Sequence, residues 1–349
     1  MATHEFYMHR CLALASQGLG RVKSNPLVGC VIVENNEIIG EGYHEQYGGP
    51  HAEVNAIAAV QDKSRLQRAT LYVNLEPCHH YGKTPPCSLK ILEVGIPHVV
   101  IGQRDPFVSV DGKGIQHLVQ NGVHVEMGIL EPECRALNKR FNTFHEKKRP
   151  YIILKWAQSA DHFIDQFREH ASQLPKAISC PESKLLLHQW RSEEMGILVG
   201  RKTIELDNPQ LNVRLVEGDS PLRMVIDLHD RLTFPSTMHI FDQSQPTLLF
   251  HSSNTPKEKM GQLEWVNISI TNPWNEIFDI LVDRGITSII VEGGCITLQY
   301  LIDQQLWDEA RVFTSPEKLN HGIKAPTLVG KCRDEMKVGK DILQYFYRT

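Results

Sequence analysis

The sequence predicts an α/β protein built from two different domains. Three observations predict it. Buried-strand runs alternate with amphipathic helical stretches, a charged run ending in proline interrupts that alternation near residue 146, and 349 residues suffice for two cores of ordinary size. The halves show no self-similarity, so a duplication is excluded.

Taken in order, Tyr7, Cys11 and Leu14 fall on one helical face, which Gly18 and Gly20 end. Val28 to Val33 reads as a buried strand, Asn35-Asn36 as a turn, and Glu37 to Gly42 as the hairpin partner. A helix starting near His51 carries Val54, Ile57 and Ala58. Then come strand Thr70 to Leu75, helix Ser88 to Val94, strand His98 to Ile101, helix Gly114 to Asn121 and strand Val123 to Glu126. Such alternation places helices on both faces of a sheet, a three-layer α/β/α domain over residues 1–146. His145-Glu146-Lys147-Lys148-Arg149-Pro150 reads as a linker. The second domain, residues 147–349, restarts with strands at Tyr151 to Lys155, Gly196 to Val199, Arg223 to Ile226, Thr247 to Phe250 and Ser288 to Val291.

Lys plus Arg is 37 against 41 Asp plus Glu, a formal charge of −4. A mildly acidic chain is unsuited to extended phosphate-backbone binding, so nucleic acid is not the expected partner, although a few cations can still hold one phosphate. Apolar runs such as Val28 to Val33 are too short to span a bilayer, and Met-Ala-Thr-His-Glu-Phe is not a secretory signal. Without one, clustered members of the eight Cys read as metal ligands rather than disulfides, and a cytoplasmic location is expected.

The chemistry concentrates in His51-Ala52-Glu53, Pro77-Cys78 and Cys87. One His and two Cys can give zinc three ligands and leave the fourth tetrahedral position for water, the mark of a catalytic site. Glu53, two residues after His51 at a helix start, could shuttle a proton between that water and a leaving amine. His-x-Glu followed by Pro-Cys and a second Cys is the signature of nucleobase-type zinc deaminases, in which the Glu is not a ligand. Isolated Cys are more often small core residues, and Cys11, Cys30, Cys134, Cys180, Cys295 and Cys332 are read that way. Eight residues, His79 to Pro86, separate the two Cys, where cytidine and tRNA-adenosine deaminases usually have two. That polar, basic loop could hold a substrate tail or be ordinary surface.

In the second half, Val291-Glu292-Gly293-Gly294 follows a strand and precedes the helical stretch Ile296 to Ile302. Such a turn lets backbone N–H groups approach a pyrophosphate, though two glycines alone equally suit a tight turn. Arg191 and Arg214 could clamp an anion or sit on solvated faces.

Asn25-Pro26-Leu27-Val28-Gly29-Cys30-Val31-Ile32-Val33, then His51-Ala52-Glu53, then Leu75-Glu76-Pro77-Cys78 through Cys87 closely resemble the bifunctional riboflavin-biosynthesis deaminase–reductase family. The order Lys155, Arg191, Gly200-Arg201-Lys202-Thr203, Asp207 through Arg214, Val225-Ile226-Asp227 and Glu292-Gly293-Gly294 extends the resemblance over nearly the whole chain. It implies a cytidine-deaminase-like N-terminal domain and a dihydrofolate-reductase-like C-terminal domain. The implied substrate is a phosphoribosylaminopyrimidine: its 2-amino group is hydrolysed with zinc, then its ribosyl moiety is reduced to ribityl with NADPH. His51, Cys78 and Cys87 are implied as zinc ligands and Glu53 as the proton shuttle. Asn25, His44, His80, Lys83 and Asp105 are implied as pyrimidine or phosphate contacts. Ala157, Thr203, Asp207, Gly294, Cys295, Ile296 and Thr297 are implied at the dinucleotide, with Arg201 at its 2′-phosphate. Arg191, Leu211, Arg214 and Glu292 are implied at the phosphoribosyl substrate, with Lys155 nearby. A homo-oligomer, dimer or tetramer, is expected.

Three departures stand out. Phe107 replaces an Asn often found in the family, and His162 replaces a Gly in a Ser-Leu-Asp-Gly-type turn. If that Gly has positive φ, His162 carries about 1 kcal/mol or somewhat more of backbone cost. Gln173 to Ala177 stands where a Gly-Glu-Ser-Gln-Trp-like segment is usual. Three competing readings are a deaminase with an impaired reductase, a nucleic-acid deaminase with an unrelated C-terminal domain, and a non-catalytic zinc module.

Overall fold

A computed structural model describes residues 3–79, 85–108, 110–168, 173–234, 236–253 and 257–348. The chain divides into two compact units, Met1–Lys148 and Arg149–Thr349.

The first unit comprises α1 (His4–Ser16), β1 (Gly29–Glu34), β2 (Glu37–Tyr43), α2 (Ala52–Ala59), β3 (Thr70–Leu75), α3 (Cys87–Glu93), β4 (His98–Gln103), α4 (Lys113–Gln120), β5 (His124–Met127), α5 (Glu131–Leu137) and α6 (Lys139–Lys147). Its five-stranded sheet runs β2-β1-β3-β4-β5, with β1 antiparallel to both neighbours and β3, β4 and β5 parallel. The Asn35-Asn36 turn between β1 and β2 places both residues at positive φ, 51° and 65°, a conformation Asn tolerates better than most residues and one that suits the twist of a two-residue hairpin. Strand alternation sorts the core. Cys30 and Ile32 face Ala56, Ile91 and Leu118, while Val31 and Val33 face Met8, Cys11 and Cys134, so helices cover both sides.

The expected boundary after residue 146 falls inside α6, which continues through Lys147 before Lys148 turns at φ 52°. The charged run is helical as far as Lys147, and the break between the units falls within it, between Lys148 and Arg149. His145 packs its ring against Phe141 and Phe107, at 4.4 and 4.9 Å between centroids, which gives the run an apolar side.

The second unit comprises β6 (Tyr151–Gln158), β7 (Phe163–Asp165), α7 (Pro181–Glu193), β8 (Gly196–Gly200), α8 (Arg201–Asp207), β9 (Leu222–Ile226), β10 (Thr247–His251), β11 (Leu263–Asn267), α9 (Pro273–Asp283), β12 (Ser288–Val291), α10 (Cys295–Asp303), β13 (Glu309–Thr314), β14 (Ile323–Lys324), β15 (Cys332–Val338) and β16 (Asp341–Tyr347). Nine strands order as β11-β10-β9-β8-β12-β6-β13-β16-β15, and β7 pairs with β14 apart. The sheet is parallel from β11 through β13 and finishes with the antiparallel pairs β13–β16 and β16–β15. Ile152 and Leu154 face α9 and α10 through Ile277, Leu281, Leu298 and Leu301. Ile153 turns to the other side with Trp190 of α7 and Ile204 of α8.

His162 does adopt positive φ, 63°, in the turn between β6 and β7. The turn is held by the His162 N–H donating to the Ser159 carbonyl and by the Ala325 N–H donating to the His162 carbonyl, both at 2.9 Å. These bonds offset a backbone cost of about 1 kcal/mol, so the turn forms without its glycine.

Candidate active sites

In the first unit, three candidate ligand side chains converge because three element ends converge. His51 is the N-cap of α2, Cys87 opens α3, and Cys78 follows the end of β3. His51 Nδ1 lies 3.2 Å from Cys87 Sγ and 3.6 Å from Cys78 Sγ, and all three ligand atoms lie within 4.8 Å of one another. Zinc–nitrogen and zinc–sulfur bonds of about 2.0 and 2.3 Å would space tetrahedral N and S ligands roughly 3.6 Å apart, so the donor set fits a zinc ion. The Cys87 N–H donates to Cys78 Sγ at 3.4 Å. Hydrogen bonding with Cys87 and His51 holds the Cys78 thiol down at about 4, the thiolate state a metal requires. Glu53 lies in the first turn of α2, 3 % exposed, and burial pushes its carboxyl up.

Asn25 and His44 meet beside this cluster. The His44 Nδ1–H donates to the Pro50 carbonyl at 3.0 Å, which leaves Nε2 to accept from Asn25 Nδ2 at 2.9 Å. Burial lowers the His44 ring below its ordinary value, and that ring stands 5.6 Å from His51. The segment carrying Asn25 is pinned by two buried side chains: Asn74 and Asn138 both donate to the Leu27 carbonyl, at 2.9 and 3.0 Å. Asp105 is buried, which pushes its carboxyl up to about 7, and it accepts from the Phe107 N–H at 2.8 Å. Phe107 itself packs on His145 rather than offering a polar group. His80 and Lys83 lie outside the described residues.

Glu76 was missed by sequence reasoning. Its buried carboxylate accepts from the N–H groups of Asp105, Gly112, Gly114 and Ile115, at 3.0 to 3.3 Å. It thereby fixes the loop that carries Asp105 to the strand end that carries Cys78. Gly114 permits the approach, since a Cβ there would stand 1.9 Å from the Pro77 carbonyl oxygen. Only its place in the Leu-Glu-Pro-Cys run hinted at a role.

In the second unit, Arg191 near the end of α7 pairs in two contacts with Glu292 after β12, Nε to Oε1 at 2.7 Å and Nη2 to Oε2 at 2.6 Å. Asn212 links the two arginines: Arg191 Nη1 donates to its carbonyl at 3.1 Å and Arg214 Nη1 to its side-chain oxygen at 2.8 Å. His188, one helical turn before Arg191, was also missed. It accepts from the Arg214 N–H at 3.2 Å, and burial with the two arginines holds it down at about 4, a neutral ring. Lys155 on β6 is buried, with Nζ 5.8 Å from the Phe313 ring centroid, and burial lowers its ammonium while Glu292 opposes that. Leu211 is buried at a positive φ of 54°, a strained position beside this cluster.

The residues expected at a dinucleotide gather around two helix starts. Gly200 caps α8, and Gly294 caps α10 at φ 75°, ψ 117°, a conformation that favours glycine. A Cβ on Gly293 would stand 2.7 Å from Thr203 Oγ1, and one on Gly200 would stand 2.8 Å from Thr297 Oγ1. The glycines thus leave a cradle that side chains would fill, which fits a bound pyrophosphate. Cys295 is half-buried and Ile296 exposed at the start of α10, and Ala157 is half-buried on β6. Arg201 is engaged by Glu205 and stands 3.6 Å from buried Asp227, while Asp207 is engaged by Arg168. Gln173 and Leu174, in the departing segment, are exposed and accept through their carbonyls from Arg168 and Gln166.

Residues 1–103 match the family described as the cytidine and deoxycytidylate deaminase zinc-binding region, and residues 150–337 match the RibD C-terminal domain. The chain is 34% identical to the riboflavin biosynthesis protein RibD of Aquifex aeolicus, over 98% of each chain. It is 36% identical to the RibD of Actinobacillus pleuropneumoniae, over 97% of this chain and 93% of the relative. Among solved structures it is similar to a diaminohydroxyphosphoribosylaminopyrimidine deaminase/5-amino-6-(5-phosphoribosylamino)uracil reductase from Thermotoga maritima, with a TM-score of 0.89 and 34% identity over 99% of each chain. Among the described residues no helix is long and apolar enough to cross a membrane.

Proposed function

The chain belongs to the RibD family of bifunctional riboflavin-biosynthesis deaminase–reductases, and from that premise we propose how its own residues divide the two reactions. The observation that carries the deaminase reading is the convergence of His51, Cys78 and Cys87 beside buried Glu53.

His51, Cys78 and Cys87 hold the metal. Zinc, when bound, supplies a water acidic enough to attack near neutral pH. Glu53 would carry a proton from the attacking water to the 2-amino group of the pyrimidine, as a C–O bond forms, the C–N bond breaks and ammonia leaves. Burial pushes the Glu53 carboxyl up, which suits it to hold a proton and pass it on. Asn25, His44 and Asp105 orient the pyrimidine, with His80 and Lys83 from the loop toward its phosphoribosyl tail.

NADPH, when bound, would supply the hydride that turns the ribosyl moiety of the deaminated product into ribityl. Gly294, Cys295, Ile296 and Thr297 would receive its pyrophosphate, Ala157, Thr203 and Asp207 its remaining contacts, and Arg201 its 2′-phosphate. Arg191, Arg214, Leu211 and Glu292 position the phosphoribosyl group, with Lys155 against the reacting end. The reading extends to a cytoplasmic homo-oligomer acting on a small molecule and not on nucleic acid, which the net charge of −4 supports.

The test incubates the purified protein with zinc, NADPH and the diamino-pyrimidinone phosphate, following ammonia and NADPH separately. Wild type releases ammonia first and consumes NADPH only once deaminated product exists. Glu53→Gln keeps its zinc and loses roughly 10² to 10⁴-fold in ammonia release. A Glu53→Gln enzyme with zinc and a near-wild-type rate removes Glu53 from the mechanism.

A further inference from the structure

The first unit carries a second cluster of metal-ligand side chains, at the other end of its parallel strands. His98 opens β4 and His124 opens β5, and the register pairs them directly. Glu126 follows on the same face two residues along β5. Cys78, by contrast, lies beyond the carboxyl end of β3, and six residues of strand separate the two ends by roughly 16 Å.

The ligand atoms of His98, His124 and Glu126 lie within 4.8 Å of one another. Glu126 Oε1 stands 2.9 Å from His98 Nε2 and 3.7 Å from His124 Nε2, and its Oε2 stands 3.8 Å from His4 Nε2. Bonds of about 2.0 Å would space tetrahedral N and O ligands roughly 3.3 Å apart, and these separations bracket that value.

Two rings are already turned for ligation. His98 Nδ1 meets Thr70 Oγ1 at 3.3 Å and His4 Nδ1 meets the Tyr72 hydroxyl at 2.9 Å, which leaves both Nε2 atoms facing Glu126. Outer hydroxyls fixing the ring orientation of a ligating His is the usual support of such a site. His98 Nε2 is buried and faces Glu126 Oε1 at 2.9 Å.

We propose that His98, His124 and Glu126 form a second divalent transition-metal site of the zinc class, distinct from the His51–Cys78–Cys87 centre. Two imidazoles and a carboxylate suit zinc and its neighbours and not the hard cations. The ion would tie together the adjoining starts of β4 and β5, with His4 of α1 beside Glu126.

The experiment equilibrates full-length wild type, His124→Asn and Cys87→Ala with excess zinc, removes free metal by gel filtration and counts zinc per chain by elemental analysis. His124 is largely exposed, so its replacement leaves the fold intact. Wild type retains two ions, His124→Asn one and Cys87→Ala one. Cobalt substitution identifies which ion remains: His124→Asn keeps the thiolate-to-cobalt charge-transfer absorption, and Cys87→Ala loses it while keeping visible d–d bands. Deamination by zinc-loaded His124→Asn stays within about twofold of wild type. One ion in wild type, two in His124→Asn, or no cobalt bands in Cys87→Ala overturns the proposal, and none of these results touches the reading of the catalytic centre.

Discussion

Arg201 illustrates how a side chain can be occupied and still available. Its partner Glu205 lies one turn along α8 and keeps a third of its side chain in solvent. Exposed i,i+4 pairs contribute only about 0.3–0.5 kcal/mol, whereas a hydrogen bond to a phosphate contributes about 1.5–3 kcal/mol. On the proposed reading a 2′-phosphate would displace Glu205, and buried Asp227 would stay behind the guanidinium as an orienting group. Arg201→Ala should lower the preference for NADPH over NADH roughly tenfold to a hundredfold while the NADH rate holds. Comparing kcat/KM for both cofactors checks this, and an unchanged ratio transfers the role to Lys202.

At the scale of elements, the start of α4 depends on a residue that is not in α4. Glu76 satisfies N–H groups at that helix start and in the loop before it, and Gly114 lets the helix close on Pro77. Glu76→Gln turns one acceptor oxygen into an NH₂ facing backbone donors, which costs about 1–3 kcal/mol. Calorimetry should record a thermal midpoint lower by several degrees in the first unit, roughly 2–4 °C per kcal/mol. KM for the pyrimidine should rise as well, because Asp105 rides on the same loop. Unchanged values for both would show that water replaces the carboxylate. Neither Glu76 nor His188 was legible in the sequence, because their partners lie elsewhere in the chain or are backbone groups with no signature. The convergence of His51, Cys78 and Cys87 was legible because a ligand set needs particular residue types, and element ends bring these three together. Strands β1, β3, β8 and β12 announced themselves as buried apolar runs. β15 did not, since five of its seven residues are exposed and four are charged, and the charged end of α6 was read as the start of a linker.

At the scale of the molecule, the two units meet the chain's own break at Lys148–Arg149. Arg149 belongs to the second unit through its buried pair with Asp308, at 2.5 and 2.7 Å. A fragment ending at Lys148 should fold, bind zinc and deaminate, and one starting at Arg149 should reduce the deaminated intermediate. Starting at Pro150 instead removes the guanidinium from buried Asp308, whose Oδ2 still accepts from the Ile152 N–H at 3.0 Å, a loss of about 3 kcal/mol readable in the denaturation midpoint. If neither fragment is soluble while the full chain is, the units are not independent.

β15 borders the nine-stranded sheet, with no strand paired beyond it among the described residues, and its sequence, Cys332-Arg333-Asp334-Glu335-Met336-Lys337-Val338, decides what can lie beside it. An antiparallel copy centred on Glu335 would set Arg333 against Lys337 and Glu335 against its own image, and a parallel copy in register would match every charge with itself. Like charges directly opposite are repelled, so the rim that makes this strand hard to read also keeps one sheet from templating the next, and with it the chain from fibrillar association at high concentration.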